Sequence, residues 1–132
     1  MANMTGTLTT ARVRRTSLPH ALLRLEGAAI FFGAIALYAD AGWSWLAFVA
    51  LLFAPDLGMI GYLAGPRTGA AVYDVVHFYG LPVALGVIGL LTDTPVAAQI
   101  ATVWIAHIGM DRALGYGLKY ATGFKDTHIQ RL

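Results

Sequence analysis

Four stretches of about twenty largely apolar residues follow one another along this chain, at 20–39, 43–64, 70–91 and 95–118. No other feature limits the fold as much, because a helix of about 20 apolar residues crosses a hydrocarbon core of about 30 Å. The breaks between them are short and rich in helix breakers: Asp40-Ala41-Gly42, Gly65-Pro66-Arg67-Thr68-Gly69 and Thr92-Asp93-Thr94-Pro95. Connections this short force neighbouring helices to run antiparallel. The expected fold is therefore all-α: a polytopic membrane protein, an up-down bundle of four transmembrane helices. Charge supports it, since 12% of the residues are charged and 58% are hydrophobic, whereas a soluble domain carries about a quarter charged residues.

Orientation follows from where Lys and Arg fall near the span ends. Arg12, Arg14 and Arg15 precede the first span, Arg67 lies in the middle break, and Lys119, Lys125 and Arg131 follow the fourth. The other two breaks hold Asp40 and Asp93 with no Lys or Arg. All positive ends thus share one side, so both termini are expected in the cytoplasm, with Trp43 and Trp45 at the outer interface. Residues 1–19 read as a disordered basic tail, 20–120 as the transmembrane domain and 121–132 as a short cytoplasmic tail. A competing reading makes Ala28–Tyr38 with Ala39-Asp40-Ala41 a cleavable signal segment, the Arg14-Arg15 pair hinting at a twin-arginine type; Glu26 interrupting the segment tells against it.

Four carboxylates and two histidines stand in the interior of these apolar spans: Glu26, Asp56, Asp74, His77, His107 and Asp111. Each is costly in lipid, so such residues face a bundle interior and mark functional sites. At 1.5 Å per residue they all fall roughly 6–16 Å from the cytoplasmic end of their helices. Asp74 and His77 are spaced i,i+3 and His107 and Asp111 i,i+4, so each pair shares a helix face. Pro55, lacking an N–H, is expected to kink or open the second span beside Asp56.

Histidine and carboxylate without cysteine suit zinc, manganese or iron. His77, His107 and Asp111 are candidate metal ligands, Glu26, Asp56 and Asp74 candidate catalytic carboxylates, and Arg112, Lys119 and Tyr73 candidate substrate-binding groups. The absence of cysteine removes disulfides and thiolate sites, and a net charge of +2 gives no argument for nucleic acid. The expected partners are the lipid bilayer, a small-molecule or lipid substrate, and a second copy of the chain if the protein transports protons or cations. Haem or quinone binding through His77 and His107, and a purely structural subunit, are the other classes left open. Gly61-x-x-x-Gly65 is a small-residue pattern that lets helices approach closely, and His128 reads as a solvated tail histidine.

Leu22-Leu23-Arg24-Leu25-Glu26-Gly27, Pro55-Asp56-Leu57-Gly58 with Gly61-Tyr62, Tyr73-Asp74 with His77, and Ala106-His107-Ile108-Gly109-Met110-Asp111-Arg112 through Gly115-Tyr116-Gly117-Leu118-Lys119-Tyr120 and Thr127-His128 are also a recognisable set. Over about 20–132 the chain resembles the domain-of-unknown-function family 4260, small bacterial integral-membrane proteins. The resemblance implies a multi-pass location in a bacterial inner membrane and brings no activity with it. A fainter likeness to membrane-bound metal-dependent hydrolases rests on a Pro-Asp in one helix and buried His and Asp in others; that family's His-rich motif is missing here.

Overall fold

The computed structural model describes residues 17–119 and 127–131. The helices are α1 (Leu18–Asp40), α2 (Trp45–Leu52), a 3-10 helix (Ala54–Ala64), α3 (Pro66–Val76), α4 (Gly80–Leu91) and α5 (Pro95–Leu114). Among the described residues there is no strand, only an isolated antiparallel bridge between Lys119 and Thr127. The expected N-terminal tail falls outside the described residues except for 17–19. Of these, Ser17 caps α1 by accepting the His20 N–H at 3.3 Å, so the helix opens at Leu18.

Proline decides where most of these helices begin. A prolyl ring lacks an N–H and clashes with the carbonyl four residues back, so it is tolerated only in a helix's first turn. Pro19, Pro55, Pro66, Pro82 and Pro95 all stand within the first three residues of a helix. Only α2 starts without one; there Ser44 accepts the Ala47 N–H at 3.4 Å. Two of the sequence-derived spans are consequently broken in the middle. The second breaks at Phe53, ahead of Pro55. The third, expected to be continuous over 70–91, breaks between Val76 and Gly80, because Pro82 compels a new start just upstream. The third also begins earlier than expected, at Pro66, directly after Gly65 turns the chain at φ 111°.

The eleven-residue 3-10 helix is long for its kind, which seldom exceeds one turn. Its three-residue repeat puts Gly58 and Gly61 on one face, against Val76 and Val72 of α3, while Gly69 of α3 lies under the Tyr62 ring. The Gly61-x-x-x-Gly65 reading is corrected by this geometry: the packing pair is Gly58/Gly61, spaced by three, and Gly65 is a turn residue with open space where a Cβ would point.

α5 is the central helix. α1 crosses it antiparallel, with Arg24 donating to the Ala113 carbonyl at one end and Gln99 donating to the Tyr38 hydroxyl at the other. Between them Gly27 and Gly109 let the backbones touch. α4 also lies antiparallel on α5, Gly89 against Ala97 and Gly86 against Ala101. Among the described residues three segments, Leu18–Asp40, Trp45–Ala64 and Pro66–Leu91, are long and apolar enough to cross a membrane; α5 is not among them. Its sequence is more polar because its neighbours, rather than lipid, surround it. Conversely, Leu46, Leu63 and Leu91 leave 80% or more of their surface exposed while His77, His107, Asp111 and Arg112 are buried. Apolar outside and polar within is the arrangement a bilayer favours.

A candidate metal centre at the helix breaks

The two breaks and α5 supply the site between them. Asp56 stands in the first turn of the 3-10 helix and His77 terminates α3. His107 and Asp111 lie one turn apart on α5. One ligand atom from each of these four residues falls within 4.8 Å of the others. His107 Nε2 lies 3.2 Å from Asp111 Oδ2 and 3.3 Å from Asp56 Oδ1. His77 Nε2 is 3.6 Å from each of the same two oxygens, and the two Nε2 atoms are 3.1 Å apart. Four donors at about 2.0–2.1 Å around a tetrahedral ion are separated by roughly 3.3–3.4 Å. The five separations that involve a histidine nitrogen, 3.1–3.6 Å, bracket that value, and the two carboxylate oxygens lie within 4.8 Å of each other.

Supporting contacts set the donors. His77 Nδ1 lies 2.9 Å from the Tyr73 carbonyl, which can only accept, so the neutral ring carries its proton there and turns a bare Nε2 inward. The Tyr73 ring stacks on His77 at 3.7 Å and 8°, and its hydroxyl donates to Asp111 Oδ2 at 3.4 Å. Breaking a helix frees carbonyls, and such breaks persist at membrane depth only where neighbours satisfy them. Here α5 does so: Trp104 Nε1 donates to the Val76 carbonyl at 2.7 Å and Arg112 Nη2 to the His77 carbonyl at 3.1 Å.

The remaining candidates divide. Tyr73 and Lys119 line a cavity of about 260 Å³ together with Asp56, Asp111, Met59 and Tyr116. Asp56 and Met59 share it because three residues make one turn of a 3-10 helix. Lys119 Nζ sits 4.5 Å above the Tyr73 ring centre, and burial pushes its amine below the ordinary lysine range. Arg112, expected at the rim for substrate, is buried and engaged by the His77 and Tyr116 carbonyls. Asp74 accepts the Lys119 backbone N–H at 2.6 Å instead of joining the four. Glu26 is exposed on α1, where Gly27 takes the inward position. Trp104 is the contributor that polarity alone did not single out; its indole N–H, needing a partner inside an apolar helix, was the available signal.

The chain beyond α5 closes this end. Gly115 adopts φ 93° and stops the helix at Leu114, short of the expected 118. Leu118 N–H donates to His128 Nδ1 at 2.8 Å, His128 N–H donates to the Leu118 carbonyl, and Thr127 and Ile129 are buried. His128 is thus a packed, hydrogen-bonded residue, not a solvated one. The two Nε2 atoms at 3.1 Å are closer than the roughly 4 Å that two axial ligands leave across a haem iron, so these side-chain positions do not fit a bis-histidine haem.

No curated protein and no solved structure matches the chain. A family model does, over residues 20–132, and that extent takes in all four cluster residues, the cavity and the closing segment. The chain belongs to the family described as a domain of unknown function, DUF4260.

Proposed function

We propose that this protein is a metal-dependent hydrolase of a bacterial inner membrane, built on four membrane-crossing segments with both termini in the cytoplasm. It acts on a lipid-linked or phosphorylated substrate from the cytoplasmic side. One observation carries the reading: two imidazole nitrogens and two carboxylate oxygens from three separate segments point at one another at metal-ligand spacing inside an apolar bundle. Without a cation, two carboxylates this close, that of Asp111 buried, would repel each other.

His77, His107 and Asp111 are the three most buried of the four and would hold the ion, leaving a position that faces the cavity. A divalent ion in such a place supplies a water of lowered pKa. Asp56, its side chain 40% exposed, is placed to take the proton as the water oxygen bonds to carbon or phosphorus. The departing alkoxide then receives that proton, so water is added across one ester or phosphoester bond. Lys119 lines the same cavity and favours an anionic group.

Elemental analysis of purified protein tests the reading. About one zinc, manganese or iron per chain is expected, lost in the His77→Ala/His107→Ala double variant. Protein that carries no such metal after purification without chelators, and takes none up, refutes it.

A further inference from the structure

Where α1 passes the end of α5, the two helices leave a crevice that the metal centre does not use. Ala21, Arg24, Leu25 and Ala28 follow at intervals of three, one and three residues, which places them on one stripe of α1. With Ala113 of α5 they line a space of about 420 Å³, within the roughly 300–1,000 Å³ that ligand sites occupy. None of these residues belongs to the cation group or to the cavity beside it.

Arg24 is the one charged residue in this lining. Its Nε donates to the Ala113 carbonyl at 2.9 Å, which uses one of the five guanidinium donors and fixes the group in place. The Nη pair supplies a planar fork that matches phosphate oxygens, and Arg24 is exposed. Glu26, two residues further on, lies roughly 200° round the helix and does not line the crevice. An anion therefore meets a cation here, while an ammonium group finds no acid among the lining residues.

Level in the bilayer gives the second constraint. Ala113 is the last residue but one of α5, so Arg24 stands where that helix ends, at the headgroups. Ala28 lies about 6 Å deeper along α1, toward the contact between Gly27 and Gly109, and both Leu25 and Ala28 are apolar. The crevice is thus charged at the membrane surface and apolar below it, in the order of a phospholipid's own parts. A soluble anion would use Arg24 and leave the apolar wall without a partner.

We infer that the crevice binds one anionic phospholipid, its phosphodiester on Arg24 and the upper part of one acyl chain against Leu25 and Ala28. Basic pockets between membrane helices suit such headgroups. The lipid site shares no residue with the metal centre, so either can fail alone.

Native mass spectrometry of delipidated protein in detergent counts bound lipid directly. One dioleoyl phosphatidylglycerol per chain is expected, held about fivefold more tightly than dioleoyl phosphatidylcholine, the effect of one charge near a membrane surface. Arg24→Gln should weaken phosphatidylglycerol about tenfold, the loss of one charge-assisted hydrogen bond, and remove the preference. Arg67→Gln, at an exposed position of α3, should change neither. Ala21→Leu, which narrows the crevice and leaves Arg24 in place, should also lose the bound lipid. Competition on the wild-type chain needs no substitution: inorganic phosphate in large excess should leave the lipid bound, and displacement overturns the inference in favour of a free anion. Equal affinity for the two lipids, or a preference that Arg67→Gln removes as fully as Arg24→Gln, overturns it in favour of general surface charge. A lowered unfolding midpoint in Arg24→Gln with unchanged lipid binding overturns it as well, and leaves Arg24 a cap on the end of α5.

Discussion

Asp111 keeps 11% of its side chain exposed and takes a hydrogen bond from Tyr73, whereas Asp56 keeps 40% and stands at the cavity mouth. The same functional group therefore has two environments, and neutralising each should do different things. Asp111→Asn is expected to weaken metal binding by more than the 10–100-fold that loss of an outer partner costs. Asp56→Asn should retain metal to within about tenfold while hydrolysis is lost; isothermal titration with zinc separates them. Equal loss from both would make Asp56 a ligand of the same rank. The cluster was half legible from residue types alone. Depth counting along each helix found the right layer, since it needs only the rise per residue. It could not find the azimuth, which is set by packing. Glu26 shares the depth of the cluster yet turns outward, because α1 gives its inward position to Gly27 so that its backbone can meet Gly109. Arg112 was read as a rim cation for the same reason: its position along α5 was visible, and the carbonyl it would find was not.

At the level of elements, the two interruptions are what bring Asp56 and His77 beside α5. The first was readable because Pro55 stands next to the residue it displaces. The second was not, because Pro82 acts on the carbonyl four residues upstream and the break lies away from the proline that causes it. The α1–α5 crossing is the element contact with the least tolerance. A Cβ on Gly27 would run into the Arg112 Cβ and the Gly109 carbonyl. Gly27→Ala should therefore separate the helices and destabilise the fold by about 1–3 kcal/mol, with a lower unfolding midpoint in detergent. Gly33, which has open space around it, is the matched control, and Gly33→Ala should leave the midpoint unchanged or higher, since alanine is the better helix former.

For the molecule as a whole, the segment after α5 closes the polar end and its hold depends on pH. His128 accepts the Leu118 N–H through Nδ1, so that nitrogen must be bare. Burial, with Arg112 adding to it, pushes the imidazole below its ordinary value, while Asp74 pulls the other way. A base whose folded pKa is depressed stabilises fully above its unfolded value, about 6.5, and loses that contribution as pH falls through the folded one. The Leu118 amide should accordingly lose protection from deuterium exchange, measured against the intrinsic rate at each pH, below about pH 6, and His128→Gln should flatten that dependence. A protection factor unchanged between pH 7.5 and 5 would show that His128 does not govern the closure.

The burial of α5 by its neighbours also bears on how the chain is made. Asp and Arg near a span centre each oppose insertion by about 2.5–3.5 kcal/mol, and α5 carries Asp111 and Arg112 side by side toward one end. On the proposed four-crossing reading, α5 would follow α1 and α4 out of the ribosome and enter the bilayer as their client, since they pack along it. A glycosylation-tag assay should find α5 translocated poorly when fused alone and efficiently in the full chain. Because His107 and Asp111 lie on α5, metal loading on the proposed reading would wait for that helix, and a chain cut short before Pro95 would lack two of the four cluster residues.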